Sequence, residues 1–422
     1  MSIELPRVAT VEQQFPRPQL ESLEEHVTQS LRTSSLTPTQ VEGRSIAIAV
    51  GSRGITGLDR IVRCVVEILR ERGAEPFIVP AMGSHGGATS EGQAQILLNY
   101  GISEDLGAKV VSSMESVHIG NTVDGVPVQI DRAAFESDGI ILINRIKPHT
   151  DFHGEIGSGL LKMMAVGLGN TDGAREFHTW VGRLEHEHLL RSRAGLILDT
   201  GKILVGLGII ENAYHETADV KLVEASQILN SEPVLFKQAG ELMPSLPVKD
   251  LDLLIIDRIG KNISGTGMDP NITGRWFDVT SIWQENPRVT RIVVLGLEEA
   301  SYGNAIGIGL ADFCTSRVVE KMDPQITYTN AIVARNTGTA RIPITFATDR
   351  ETIEQAVLSL GAGLHARDIR LIRIQNTLSL ATIVASEALI EELRINPQVS
   401  SVARPAEMTF DPEGTLAPTQ TS

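Results

Sequence analysis

Seven of the ten histidines in this 422-residue chain lie between His85 and His188, a segment of about a quarter of the sequence. Histidine is the side chain best suited to moving protons near neutral pH, and its ring nitrogens bind transition metals. The concentration of histidines therefore indicates acid–base or metal chemistry in this segment.

Polar side chains follow three short apolar runs in this part of the chain. The runs are typical of buried parallel strands: Ser45–Val50, Pro76–Pro80 and Gly139–Asn144. Arg53 follows the first run, His85 the second and His149 the third. Open parallel sheets bind ligands at the carboxyl ends of their strands. The three positions together predict an active site at that edge, and ordinary loop residues are the alternative interpretation of each.

A loop of small residues precedes a predicted helix over Leu160–Val166. The loop contains Gly157, Ser158 and Gly159, and the helix carries Lys162. Such a loop can present backbone N–H groups and a hydroxyl to a phosphate at a helix N-terminus. A tight turn is the alternative interpretation of the loop, and a lysine whose stem covers apolar neighbours is the alternative for Lys162.

Taken together, His85, His149, the sequence Ser158-Gly-Leu-Leu-Lys162 and His178 resemble the nickel-dependent lactate racemase family. In that family a lysine of a Ser-Gly-x-x-Lys motif is joined through a thioamide to a pyridinium nucleotide. The nucleotide holds nickel in a pincer of sulfur, carbon and sulfur atoms, and a histidine sixteen residues later completes the coordination. His178 lies sixteen residues after Lys162. The resemblance is specific over about residues 45–180.

The resemblance implies a role for each of these residues. Lys162 would carry the nickel-pincer nucleotide, with the loop of Gly157, Ser158 and Gly159 beside it, and His178 would bind the nickel. The remaining roles would be two bases facing each other across the substrate, His85 and His149, and two ligands of the substrate carboxylate, Arg53 and Lys261.

The resemblance also implies a reaction, the racemisation or epimerisation of a 2-hydroxy acid. The pyridinium would take a hydride from the substrate Cα while one histidine removes the hydroxyl proton, giving a planar 2-oxo acid. Return of the hydride to the opposite face needs a second base, which explains a pair of histidines physically. The expected partners are a small 2-hydroxy acid and the proteins that make the cofactor.

Two departures from the family pattern lie beside the predicted substrate. The family's Asp-x-Thr-Arg signature is Val50-Gly51-Ser52-Arg53 here, so the aspartate is missing. The interval from the motif histidine to Lys162 is longer, and His153 within it is an alternative to His149 as the second base. The sequence therefore predicts a divergent member of the family that acts on a 2-hydroxy acid other than lactate.

Composition excludes several other classes of protein. The formal net charge is −15, and no basic cluster indicates binding to nucleic acid or to a membrane surface. The two cysteines are too few for an iron–sulfur cluster or a cysteine-rich zinc site. The N-terminal residues contain no apolar signal core, which predicts a cytoplasmic protein.

Strands alternate with helices from Ser45 onward and again from about residue 248. This alternation predicts an α/β fold of two domains with mainly parallel sheets and an active site in the cleft between them. The first domain, which would carry the cofactor, is predicted at residues 1–247 and the second at 248–385. Residues 386–422 are a candidate to pack back on the first domain, with disorder expected beyond about Thr409.

Two further functions are compatible with the same residues. One is a metal-dependent hydrolase or lyase that uses His85 and His149, and the other is a protein that binds a small ligand without catalysis. The run Glu185-His186-Glu187-His188 lacks the spacing of a zinc-binding helix and predicts a solvated helix face instead.

Overall fold

The computed structural model describes residues 3–51, 54–150, 152–276, 287–361 and 363–418. The predicted strand Ser45–Val50 is the third strand across a six-stranded sheet. The chain divides into two units: residues 16–243, and residues 1–15 together with 244–422. Both units combine helices with mainly parallel sheets, as the sequence predicted.

The unit of residues 16–243 contains β2 (Ser45–Val50), β3 (Glu75–Pro80), β4 (Lys109–Val110), β5 (Ser116–Asn121), β6 (Pro127–Asp131), β7 (Gly139–Arg145), β8 (Ile203–Glu211) and β9 (Thr217–Glu224). The sheet order is β4-β3-β2-β7-β8-β9, and every neighbouring pair is parallel except β8 with β9. Strands β5 and β6 form a separate antiparallel pair.

The helices of this unit are α1 (Leu23–Arg32), α2 (Pro38–Val41), α3 (Leu58–Glu71), α4 (Ser90–Asn99), α5 (Arg132–Glu136), α6 (Leu160–Lys162), α7 (Asn170–Trp180), α8 (His186–Asp199) and α9 (Ile228–Glu241). The predicted helix over Leu160–Val166 is therefore α6 continued by a π-helical segment, Met163–Gly167. Short π-helical segments are frequent at functional sites.

Helices cover both faces of the six-stranded sheet, which explains its continuous apolar strands. In β2, Ala47 and Ala49 belong to one buried cluster, while Ile46, Ile48 and Val50 belong to another. Successive side chains of a strand point to opposite faces, so a strand buried on both sides has no polar positions. The cluster of Ala47 and Ala49 also contains the apolar residues of α6 and the π-helical segment.

An eight-stranded sheet organises the other unit. Its strands are β1 (Val8–Gln13), β10 (Asp250–Ile256), β11 (Arg288–Val294), β12 (Phe313–Thr315), β13 (Ile344–Phe346), β14 (Leu371–Ile374), β15 (Thr382–Ser386) and β16 (Val399–Val402). The order is β13-β12-β11-β10-β14-β15-β1-β16. Its helices are α10 (Pro270–Thr273), α11 (Ser316–Lys321), α12 (Pro324–Val333), α13 (Asp349–Leu358) and α14 (Ile390–Ile395).

Two terminal segments differ from the predicted domain division at 247/248. Strand β1, assigned to the first domain, pairs with β15 and β16 because its buried Val11 lies between Ile383 and Val402. The C-terminal segment also belongs to this unit. Leu416, beyond the point where disorder was expected, is buried and donates its N–H to the Asp349 carboxylate at 2.9 Å. Every helix in the described residues is too short or too polar to cross a membrane.

Candidate active site

The two ends of the loop between β7 and α6 are hydrogen-bonded to each other, and the loop places His149 near the helix. Lys147 and Ser158 exchange two backbone hydrogen bonds, of 2.8 and 2.9 Å. Gly157 lies next to this pair of hydrogen bonds, where a Cβ would come within 2.9 Å of both the backbone nitrogen of His149 and the carbonyl oxygen of Lys147. A side chain at position 157 would therefore push the two halves of the loop apart.

Lys162 and His149 are in direct contact. The Lys162 Nζ and the His149 Nε2 form a hydrogen bond, and both side chains are half-buried. The imidazole of His149 also stacks on the ring of Phe152, with centroids 4.4 Å apart and planes inclined by 25°. Two predicted site residues, thirteen positions apart in the sequence, thus meet at one point.

The start of α6 is held by the side chains of Asn144 and Glu232, and the sequence analysis did not connect Glu232 with the site. Asn144, at the end of β7, donates to the Gly159 carbonyl at 2.8 Å. Glu232, on α9, accepts the N–H of Leu161 at 2.9 Å. Burial raises the pKa of the Glu232 carboxyl to about 7. One feature of the sequence indicates Glu232: it is a charged residue at the helical spacing of the apolar residues on the buried face of α9.

The predicted phosphate-binding role of the loop stays a prediction. The Ser158 N–H donates to Lys147, and the Leu161 N–H donates to Glu232. The acidic group at the start of α6 is therefore the protein's own carboxyl. Gly159 has an extended backbone at φ 176°, but a Cβ there would lie 2.4 Å from Glu232 Oε1. Glycine at this position is explained by the close approach of Glu232.

The loop that carries His85 is fixed to the same helical segment. The Gly83 N–H donates to the Gly167 carbonyl at 3.0 Å, and a Cβ on Gly167 would lie 2.5 Å from the Ala81 carbonyl oxygen. The buried Gln93 of α4 donates its Nε2 to the Gly83 carbonyl at 2.7 Å and to the His85 carbonyl at 3.5 Å. The exposed His85 therefore lies in a loop that is hydrogen-bonded to the segment between Lys162 and His178.

A ladder of aromatic rings links His149 with His178. Phe152 stacks on His149 and on His186, with a centroid distance of 4.5 Å and an inclination of 14° to the latter. Phe177 lies 6.3 Å from the His186 ring and meets His178 edge-on at 5.7 Å. Both phenylalanines are buried, so the ladder is part of the packed interior of this unit.

The prediction of a solvated helix face at Glu185–His188 is wrong for His186. Its half-buried ring stacks on Phe152, and α8 begins at this residue. Glu187 is also engaged, since it accepts the N–H of Glu155 at 2.8 Å and pairs with Arg191 at 2.7 Å. His188 contacts Asp124 at 2.7 Å and is half exposed, and Glu185 is also exposed, so these two residues match the predicted pattern. The signal in the sequence was Phe152, because a buried aromatic ring packs favourably against other rings.

His153, the alternative second base, is half-buried in the same loop. Burial lowers the pKa of its imidazole, which favours the neutral form. The contact with Lys162 is made by His149 instead. Arg145, at the end of β7, forms an ion pair with Glu211 and donates to the Gly54 carbonyl at 3.2 Å, which fixes the strand end.

The two predicted carboxylate ligands are Arg53 and Lys261. Arg53 is not among the described residues. Lys261 belongs to the unit of residues 244–422, where its Nζ donates to the Gly265 carbonyl at 2.7 Å and to Asn330 Oδ1 at 2.9 Å. Within the described ranges, no three His, Cys, Asp or Glu side chains form a group that could hold a metal ion.

The segment that contains these residues matches a known protein family. Residues 2–186 match the family model described as the lactate racemase N-terminal domain. This part of the chain is similar to that family. The matched segment includes His85, His149, Lys162 and His178, whereas Glu232 and Lys261 lie beyond the match.

Two solved structures resemble the chain over most of its length. A protein from Thermotoga maritima is 14% identical, with a TM-score of 0.51 over 77% of this chain and 84% of its own, and it shares the fold. The lactate racemase apoprotein from Thermoanaerobacterium thermosaccharolyticum is also 14% identical, with a TM-score of 0.48 over 83% of this chain and 86% of its own. No curated protein matches the chain.

Proposed function

We propose that this protein is an isomerase, a racemase or epimerase of a 2-hydroxy acid. The observation that carries the proposal is the contact between Lys162 Nζ and His149 Nε2 inside a lactate racemase N-terminal domain. A lysine amine beside an imidazole can pass its proton to that imidazole and then act as a nucleophile. The same imidazole is placed to move a proton at a substrate bound next to the lysine.

The residues fit a nickel-pincer nucleotide attached covalently at Lys162. The Lys162 amine would form the attachment, and the His178 imidazole is a ligand type that nickel accepts. A Cβ at Gly157 would clash with Phe236 and one at Gly159 with Glu232, so the loop that precedes Lys162 requires both glycines. When bound, this cofactor supplies hydride transfer to and from the substrate Cα.

The side chains of this protein would bind the substrate and move its hydroxyl proton. His149 would act on one face of the substrate, and His85, on its anchored loop, would act on the other. Each would serve as a base in one direction of the reaction and as an acid in the reverse direction. We propose Arg53 and Lys261 as ligands of the substrate carboxylate, since arginine offers a bidentate fork to such a group.

The proposed substrate is a 2-hydroxy acid other than lactate. The argument rests on Val50-Gly51-Ser52-Arg53, where the family's aspartate is replaced by a residue without a polar side chain. A site that lacks this carboxylate loses a hydrogen-bond acceptor near the substrate. A panel of 2-hydroxy acids with different side chains, assayed for inversion of configuration at Cα, would identify the substrate.

The cofactor is tested by producing the protein together with the proteins that make it. Intact mass and nickel content are measured for the wild type and for Lys162→Arg, which keeps the charge but cannot form the thioamide. We expect added mass and about one nickel per chain in the wild type and neither in the variant. An unmodified, nickel-free wild type from a host that loads a known lactate racemase would refute the proposal.

The same variant separates this proposal from the alternative of a hydrolase or lyase. A metal-dependent reaction that uses only His85 and His149 needs no attachment at Lys162. Racemisation should therefore disappear in Lys162→Arg, while a reaction independent of the cofactor should survive. Binding of a hydroxy acid without inversion of configuration at Cα would support a protein that only binds the ligand.

A further inference from the structure

Glu232 is a buried carboxyl beside the helix that carries Lys162. It lies on α9, its side chain is 1% exposed, and it shares the buried face of that helix with Ile228 and Leu235. A carboxyl in such surroundings is costly unless its oxygens accept hydrogen bonds. The contacts of Glu232 therefore show what keeps it in place.

The carboxyl of Glu232 accepts an N–H group in the first turn of α6. Oε2 accepts from the Leu161 N–H at 2.9 Å. The first turn of a helix leaves such donors without partners inside the helix, and an acidic side chain there is favourable. Oε1 is buried and accepts no hydrogen bond within the described residues.

Glu232 and Asn144 each form a hydrogen bond with the backbone at the start of α6, just before Lys162. Asn144 holds the Gly159 carbonyl, and Glu232 holds the N–H of Leu161. The absence of a Cβ at Gly159 allows the carboxyl to approach the backbone closely, since a Cβ would lie 2.4 Å from Oε1. Position and rotation of the first turn of α6 are thus fixed just before Lys162.

We propose that Glu232 is a positioning residue that keeps the Lys162 amine in contact with the His149 imidazole. The contact between these two groups needs the correct rotation of α6, because each residue turns a helix by about 100°. Released from Glu232, the first turn can unwind, and the Lys162 side chain leaves the imidazole. The assignment rests on the proposed function only for the importance of Lys162, and its geometry is independent of any cofactor.

The glutamine, aspartate and leucine variants separate this role from simple packing. Glu232→Gln keeps a carbonyl oxygen at the same reach and should preserve the contact. Glu232→Asp keeps the carboxyl but shortens its reach by one methylene, and Glu232→Leu removes the acceptor. Glu241→Gln is the matched control, because Glu241 is an exposed carboxyl on the same helix.

The experiment measures the acetylation of Lys162 by acetic anhydride in the protein without cofactor. Peptide mass spectrometry gives its rate relative to the exposed Lys237 from pH 6 to 10. We expect the Lys162 profile to shift by about one pH unit, or about tenfold in rate, in Glu232→Asp and Glu232→Leu. The profile should be unchanged in Glu232→Gln and Glu241→Gln.

Unchanged Lys162 profiles in folded Glu232→Asp and Glu232→Leu would overturn the proposal, even if both variants melt at lower temperature. If Glu232→Leu does not fold, the comparison of aspartate with glutamine decides. A Lys162 profile that follows the prediction in a protein that never accepts the cofactor would keep this inference and refute the proposed function instead.

Discussion

The backbone N–H of Gly83 donates a 3.0 Å hydrogen bond to the carbonyl of Gly167. This bond joins the loop after β3 to the π-helical segment between Lys162 and His178. The carbonyl oxygens of a π-helical segment are less regularly paired than those of an α-helix, so one can accept a donor from outside. The backbone of the loop that carries the exposed His85 is thereby held in place.

Gly167→Ala is expected to displace the His85 loop. The added Cβ would lie 2.5 Å from the Ala81 carbonyl oxygen, and a backbone atom cannot move aside cheaply. We expect a loss of about 1–3 kcal/mol in the free energy of unfolding, measured by urea denaturation, together with reduced racemisation.

Gly195→Ala is the matched control for this substitution. Gly195 lies within α8, and its added Cβ would meet nothing within 4 Å. Alanine should therefore raise the free energy of unfolding by about 0.4–1 kcal/mol. Equal effects of the two substitutions would contradict the close contact between Gly167 and Ala81.

Gln93→Glu is expected to loosen the same loop from its other side. The Nε2 group donates to the Gly83 and His85 carbonyls, and a carboxylate would place an acceptor against these two acceptors. Loss of the donor in a buried position should cost about 1–3 kcal/mol. Turnover should fall with it, because His85 would no longer be held in place.

Gln95→Glu tests whether this effect depends on the position. Gln95 lies two residues further along α4, is exposed and contacts Asn99. The same change of amide to carboxylate should leave turnover within twofold of the wild type. A similar loss of turnover in both variants would point to a general effect of charge on α4.

Sequence alone predicted the strands β2, β3 and β7 and the loops that follow them. These strands are buried on both faces, so each is a continuous apolar run that stands out from its surroundings. The helix that carries Lys162 was also predicted, from its apolar residues after a glycine-rich loop. Its π-helical continuation was not, because that geometry depends on contacts such as Gly83 with Gly167.

Contacts between distant parts of the chain could not be predicted from the sequence. Glu232 is 71 residues from Leu161, and its role follows only from the packing of α9 beside α6. Strand β1 was not predicted, because it is held by pairing with β15 and β16, more than 360 residues away in the sequence. The buried Leu416 lies in a tail whose composition indicated disorder.

His186→Ala is expected to disturb His149 through the shared Phe152 ring. Both imidazoles stack on Phe152, so removal of one leaves the ring with space to move. A ring contact of this kind contributes about 0.5–1.5 kcal/mol, which thermal unfolding should reveal. We also expect lower turnover, because the His149 imidazole loses part of its support.

His186→Phe separates the stacking of the ring from its chemistry. Phenylalanine keeps a flat ring against Phe152 but cannot move a proton or bind a metal. If stacking is the role of His186, the phenylalanine variant should keep most of the turnover that the alanine variant loses. Equal loss in both variants would assign a chemical role to the imidazole.

Glu232 is expected to make the stability of the protein depend on pH. Burial raises the pKa of its carboxyl from 4.5 to about 7, so the folded protein favours the protonated form. The associated stability is fully present below about pH 4.5, falls as the pH rises through 7 and is then constant. The difference of pKa corresponds to about 3 kcal/mol.

Glu232→Gln cannot ionise, so this component of the pH dependence should vanish. Relative to the wild type, the variant should gain up to about 3 kcal/mol in the free energy of unfolding between pH 5 and pH 8, measured by urea denaturation of the full chain. Glu241→Gln removes an exposed carboxyl from the same helix and should follow the wild-type curve. Parallel curves for the wild type and Glu232→Gln would mean that the carboxyl ionises as readily in the folded chain as in the unfolded one. Burial of the carboxyl would then not govern its protonation.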